Sequence, residues 1–180
     1  MRAFRLLPVL VLAAAALAPA ALGGQEPGTI DAYHRAVGDH FRVSPQEVTV
    51  LSDYRLGPDE VPVVLFLAAR GGISPDAVVA LRRSGRGWAD IAGRYGVGGD
   101  DFHVSFQSGS PGSLAGVHAR FESTPAGSWD GMALSDDEIV GLVNVQVLSE
   151  AAGVSPARVQ AARDRAGSYA AAFRALLRGD

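Results

Sequence analysis

One six-residue phrase (a β-branched residue, Ser-Pro, two variable residues and valine) is written three times in this chain. It reads Val43-Ser44-Pro45-Gln46-Glu47-Val48, then Ile73-Ser74-Pro75-Asp76-Ala77-Val78, then Val154-Ser155-Pro156-Ala157-Arg158-Val159. Each part has a local reason to start a helix. Serine at the N-cap accepts a hydrogen bond from an orphan amide of the first turn. Proline at the next position loses nothing, because its missing N–H has no intrahelical partner. The flanking β-branched residues fall where a hydrophobic staple closes, and Glu47 completes a capping box in the first copy. Helix starts at 45, 75 and 156 follow.

Two further starts match each other: Leu56-Gly57-Pro58-Asp59-Glu60-Val61 and Leu134-Ser135-Asp136-Asp137-Glu138-Ile139. Their carboxylates belong to the first turn, where the helix dipole favours negative charge, and capping explains them better than a metal site does. At nearly constant offsets, Leu56, Asp59, Glu60 and Val61 align with Leu134, Asp137, Glu138 and Ile139, and Ile73, Arg82 and Trp88 align with Val154, Arg163 and Tyr169. The pattern predicts a mainly all-α fold of two related three-helix modules, preceded by one or two N-terminal helices. Helices are expected at 30–41, 45–54, 59–70, 75–84, 87–95, 135–152, 156–165 and 168–178. Alternation of Phe102, Val104 and Phe106 predicts a short extended strand over 101–107. The Gly/Ser/Pro-rich stretch 108–133 reads as a flexible connector, too polar to be core. The expected organisation is a signal peptide over 1–23, a first module over 29–107, the connector, and a second module over 134–180, packed as one globule.

The signal peptide is expected because Arg2 and Arg5 precede an uncharged apolar run from Leu6 to Ala18, with small residues around a cleavage point near 20–24. Spanning a bilayer takes about 20 apolar residues, and Pro19 and Gly23-Gly24 break this run first. No other stretch is apolar enough, so no transmembrane span is expected after processing. Localisation is then periplasmic or extracellular. Cysteine is absent, which rules out disulfides, thiolate metal sites and a lipidated cysteine. About 155 residues remain after cleavage, and about 150 suffice to bury 68–70 % of the unfolded surface in one core.

All 16 basic residues are arginine, and losing two with the leader leaves the mature chain more acidic than the net −3 of the full sequence. Phosphate neutralisation drives nucleic-acid binding, so an acidic exported domain is a poor candidate for it. The run Gly87–Val97 has the look of the first helix and turn of a DNA-reading helix-turn-helix, but Gly98-Gly99-Asp100-Asp101 cannot open a basic recognition helix.

Reaction-specific motifs (a nucleophile elbow, H-E-x-x-H, a phosphate loop, a dinucleotide fingerprint) are not written in the chain, and no cofactor, metal or catalytic residue is assigned. His34 and His40 are wrongly spaced for one helix face, and His103 and His118 meet only if the connector folds back. Arg82 and Arg86 beside Trp88 could hold an anionic or aromatic ligand through cation–π contact. Equally, arginines complement a helix C-terminus, and Arg163 at the matching place supports that structural role. Trp88 and Tyr169 are expected as core anchors, and Trp129 as the exposed aromatic. Ligand-binding candidates are therefore Arg82, Arg86, Trp88 and Trp129.

The ordered succession Asp59–Arg70, Ile73–Arg82, Gly85–Ile91, Asp101–Val104, Leu142–Glu150 and Gly153–Val159 resembles a group of exported bacterial helical proteins without assigned function. The resemblance covers roughly 41–178, with [VI]SPxxV and GxGW as its phrases. Members often carry a proline- and aromatic-rich connector, whereas this one is Gly/Ser-rich and lacks tyrosine. The resemblance implies an envelope location and brings no catalytic residue with it. Two functions are expected: a non-enzymatic interaction or structural protein whose partner is another envelope component, or a small-ligand receptor or enzyme with an inter-module cleft.

Overall fold

The structure, a computed structural model, describes residues 27–107 and 109–179; the expected signal peptide lies outside them. Chain order is α1 (Pro27–Phe41), α2 (Pro45–Asp53), α3 (Val61–Gly71), α4 (Pro75–Arg83), α5 (Trp88–Arg94), α6 (Gly99–Phe102), α7 (Ala115–Ser123), α8 (Asp136–Ala152), α9 (Pro156–Ala166) and α10 (Tyr169–Arg178). Short 3₁₀ turns occupy Pro58–Glu60, Gly112–Leu114 and Ala126–Gly131. Among the described residues there is no strand, and the fold is all-α.

The Ser-Pro starts form as written. Ser44, Ser74 and Ser155 each accept from the backbone amide three residues on, and in α2 the Glu47 carboxylate returns a bond to the Ser44 amide at 2.8 Å. Ser135 and Glu138 close a second capping box at the head of α8. Gly72 and Gly153 end α3 and α8 in the left-handed conformation, at φ 65° and 63°, just ahead of two of the repeated phrases. Pro62 lies in the first turn of α3, where a missing N–H is tolerated. The expected helix over 59–70 is therefore split into a 3₁₀ turn and α3.

Helices α3 and α8 pack on each other at the centre. Residues Val61 to Ala68 are all buried, and α8 buries Ile139, Leu142, Val143, Val145, Val147 and Leu148 around its whole circumference. A helix apolar on every side belongs in a core. Helix α1 crosses α8 and α10, α4 and α5 cover α3, and α9 and α10 cover α8. Among the described residues no single helix is long and apolar enough to cross a membrane. Helices α8 and α9 reach that length only as a pair bent by 112°.

Two expectations are corrected. The strand over 101–107 does not form: Asp101 and Phe102 close the helical turn α6, and His103 to Phe106 runs extended without a pairing partner. The alternation did report burial, since Phe102, Val104 and Phe106 are all in the core. A strand needs a ladder as well as an apolar face, and none lies beside this segment. The stretch 108–133 is not a polar linker outside the core either. It contains α7, and Leu114, Val117 and Phe121 are buried on one helical stripe.

Arg42 and Arg55 follow α1 and α2 with φ of 57° and 62°, a conformation that suits glycine. Left-handed backbone costs a residue with a Cβ about 1–2 kcal/mol, while glycine gives part of that back as unfolded-state entropy. Arg42→Gly and Arg55→Gly are each expected to raise stability by about 0.5–1 kcal/mol in urea unfolding. A loss of stability would mean that the arginine side chains contribute more than the backbone strain removes.

Candidate functional site

Three of the sequence candidates come together, and two of them are already occupied. The Arg82 guanidinium donates to Glu60 Oε1 at 2.8 and 3.2 Å and to Asp136 Oδ2 at 2.6 Å, and it stacks 4.5 Å above the Trp88 ring. Trp88 is fully buried. Its indole N–H donates to Glu60 Oε1 at 3.2 Å and its backbone N–H to Asp136 Oδ1 at 2.6 Å. Burial opposes the charge on Arg82, but Glu60 and Asp136 outweigh it and raise the pKa. This cluster fastens α4 and α5 to the head of α8. Arg86 is exposed, and its carbonyl accepts from Arg82.

Trp129 is elsewhere, and the expectation of an exposed aromatic is corrected. Its indole N–H donates to the carbonyls of Thr124 (2.8 Å) and Phe121 (3.2 Å), and its ring stacks on His103 at 4.2 Å. Gly99 makes this docking possible, since a Cβ there would lie 2.0 Å from the Trp129 carbonyl oxygen. None of these contacts involves Arg82, Arg86 or Trp88.

A cleft of about 350 Å³ opens on the other side of α8's head. It is lined by Asp59, Ser113, Leu114, Asp137, Glu138, Val140, Gly141, Arg163 and Tyr169. Arg163 and Tyr169 are the residues that match Arg82 and Trp88 in sequence, and Glu138 matches Glu60. The matched pairs behave differently. Glu138, unlike Glu60, is taken by Arg120 of α7, whose guanidinium donates to both its oxygens at 2.9 and 2.8 Å. That pairing lowers the Glu138 pKa. Arg163 stands 5.7 Å from the Tyr169 ring and 3.7 Å from Asp164, and its Nε is buried without a hydrogen-bond partner. The Asp137 side chain is exposed and makes no hydrogen bond or ion pair among the described residues.

Asp59 sits on the cleft floor, where its carboxylate accepts from the backbone amides of Tyr169 (3.2 Å) and Ala170 (3.4 Å) at the head of α10. Asp136 does the same for α5, so an acid beside one helix triple caps the last helix of the other. Burial raises the Asp59 pKa despite those amides and the nearby Arg163. Between the ordinary aspartate value of 3.8 and the raised folded value, the native state binds more protons than the unfolded one. Stability attributable to Asp59 is therefore full below that window and falls as pH rises through it. In paired unfolding series, Asp59→Asn is expected to remove this decline relative to the wild type. Parallel pH profiles for the two proteins would contradict the assignment.

Two buried amides hold the surroundings, and sequence reasoning named neither. Asn144, fully buried, accepts from the Tyr33 hydroxyl and donates to the carbonyls of Asp59 and Val140, both at 2.8 Å. Gln160, also fully buried, accepts from the Tyr169 hydroxyl at 3.0 Å and donates to Ser113 Oγ (2.7 Å) and Asp164 Oδ1 (2.9 Å). The signal was present in the runs Leu142-Val143-Asn144-Val145 and Val159-Gln160-Ala161-Ala162: an amide inside an apolar helix needs partners.

A second groove of about 330 Å³ lies between α1 and α2, with His34 Nδ1 3.2 Å from Ser52 Oγ. Ser52 also donates to the Val48 carbonyl at 2.9 Å, and burial lowers the His34 pKa. No group of three or more His, Asp or Glu among the described residues converges as a metal site.

No family model, curated protein or solved structure matches this chain.

Proposed function

We propose that this chain is an exported, non-enzymatic binding protein of the cell envelope, with a small polar ligand held in the cleft that α8, α9 and α10 form with the turns carrying Asp59 and Ser113. The observation that carries the reading is the contrast between matched residues. Arg82 is tied to Glu60 and Asp136, whereas Arg163 and Asp137 line a cleft of about 350 Å³, Arg163 with a long 3.7 Å contact to Asp164 and Asp137 with an exposed carboxylate. We read the two triples as products of an internal duplication, one of which kept the arginine–glutamate clasp while the other gave it up for a site. Ligand pockets run from about 300 to 1,000 Å³, so this one suits a small molecule. Export rests on the leader-like residues 1–23.

The alternative, an interaction protein docking another envelope component, has less behind it. The exposed large hydrophobics Val50 and Leu177 lie on separate helices. Thermal unfolding of the mature protein with a panel of polar metabolites tests the ligand reading. A ligand at 100 times its Kd adds about 2.7 kcal/mol, or a rise in Tm of roughly 5–11 °C for a chain of this size. Loss of that rise in Arg163→Gln would support the cleft. A panel without any shift, alongside a stable complex with an envelope protein in cross-linking, would transfer the function to the docking alternative. Fractionation tests export: retention of an unprocessed chain in the cytosol would remove the envelope from the reading.

A further inference from the structure

Resting on that binding reading, we propose that the ligand class is a small zwitterion, an α-amino acid or short peptide, with its carboxylate on Arg163 and its ammonium on Asp137. The argument is one of unsatisfied groups. Three carboxylates line the cleft, but two are occupied. Asp59 uses its oxygens on the amides of Tyr169 and Ala170, and Glu138 uses both of its own on Arg120. Asp137 is the lining carboxylate without a partner. Among the described lining residues the one cation is Arg163, whose link to Asp164 is a long 3.7 Å and whose side chain is partly exposed. A guanidinium offers parallel donors that fit a carboxylate as a fork.

Charge then selects the ligand. A simple anion on Arg163 would sit among Asp59, Asp137 and Glu138, and repulsion from those carboxylates would oppose it. A simple cation on Asp137 would leave the Arg163 guanidinium with its 3.7 Å contact to Asp164 alone. Only a ligand carrying both signs completes both groups at once. The remaining walls are Leu114, Val140, Gly141 and the Tyr169 ring, with the Tyr169 hydroxyl held by Gln160 and the Ser113 hydroxyl by Asp164 and Gln160. They suit an uncharged side chain, and about 350 Å³ suits one or two residues rather than a long peptide.

The test is calorimetric titration of the mature protein with free leucine, free phenylalanine and the dipeptide Ala-Ala, each also as its N-acetyl and its C-amide derivative. At least one free zwitterion is expected to bind, with each blocked form weaker by about tenfold or more. Arg163→Gln should lose discrimination against the amide, and Asp137→Asn discrimination against the N-acetyl form. Circular dichroism of each variant shows whether it has folded. Equal binding of blocked and free forms overturns the zwitterion while leaving the cleft as a binding site. Silence of all nine probes also overturns the zwitterion, and silence of the metabolite panel as well takes the binding reading with it.

Discussion

Trp88→Ala is expected to destabilise the protein by about 4 kcal/mol, the cost typical of deleting a large aromatic from a core. Three losses coincide at this position. The indole is fully buried, so its removal leaves a cavity bounded by α3, α5 and the head of α8. The face on which Arg82 stacks at 4.5 Å disappears. The indole N–H to Glu60 goes as well, which leaves a half-buried carboxylate with one donor fewer. Domains are stable by only about 5–15 kcal/mol, so the variant should unfold far earlier in urea, with Tm lower by roughly 8–16 °C. Trp88→Phe keeps a ring and should lose much less. A Trp88→Ala loss below about 1 kcal/mol would show that the cluster joining the two triples contributes little to the fold. Because the chain has two tryptophans, the variant also isolates the fluorescence of Trp129 against His103.

The features legible in the sequence were those decided within a few residues. The Ser-Pro starts and the Ser44–Glu47 box need only neighbouring backbone to act, and each forms as its chemistry dictates. Segment 101–107 misled because burial and pairing are separate conditions. Alternating Phe102, Val104 and Phe106 satisfied the first, while the second depends on residues far along the chain. The connector misled differently. Its glycines and serines outweighed the helical spacing of Leu114, Val117 and Phe121, although that stripe was written plainly enough to predict α7.

That misreading also hid the site. Sequence alignment of the two triples pairs Arg82 with Arg163 and Trp88 with Tyr169, and it suggested equivalent roles. What separates them is Arg120, on the helix mistaken for linker. It takes Glu138, the sequence match of the Glu60 that Arg82 holds. No local pattern at 163 announces this. The difference is created by a third element folding onto α8, a tertiary fact that periodicity does not encode.

Asn144→Leu is the second large effect expected, and it concerns specificity of packing more than amount of burial. The substitution is nearly isosteric and adds apolar surface, so a purely hydrophobic account predicts a gain. The hydrogen bonds predict otherwise. Tyr33 on α1, fully buried, loses the acceptor of its hydroxyl, and the Asp59 carbonyl ahead of α3 loses the donor that reaches it from α8 at 2.8 Å. Each orphaned buried group costs about 1–3 kcal/mol, so a net loss of about 2–4 kcal/mol is expected after the added packing. Burial raises the Tyr33 pKa well above normal, so the hydroxyl stays protonated and in need of an acceptor at any working pH. The double variant Tyr33→Phe with Asn144→Leu discriminates. Replacing both partners by apolar groups removes the orphaned hydroxyl, and the pair should cost at least about 1 kcal/mol less than the sum of the singles. Additive losses would mean that the two side chains act independently and that the Tyr33–Asn144 bond does not hold α1 on α8. Coupling would mean that one amide on α8 fixes α1 and the turn carrying Asp59 in register, which sets the floor of the cleft.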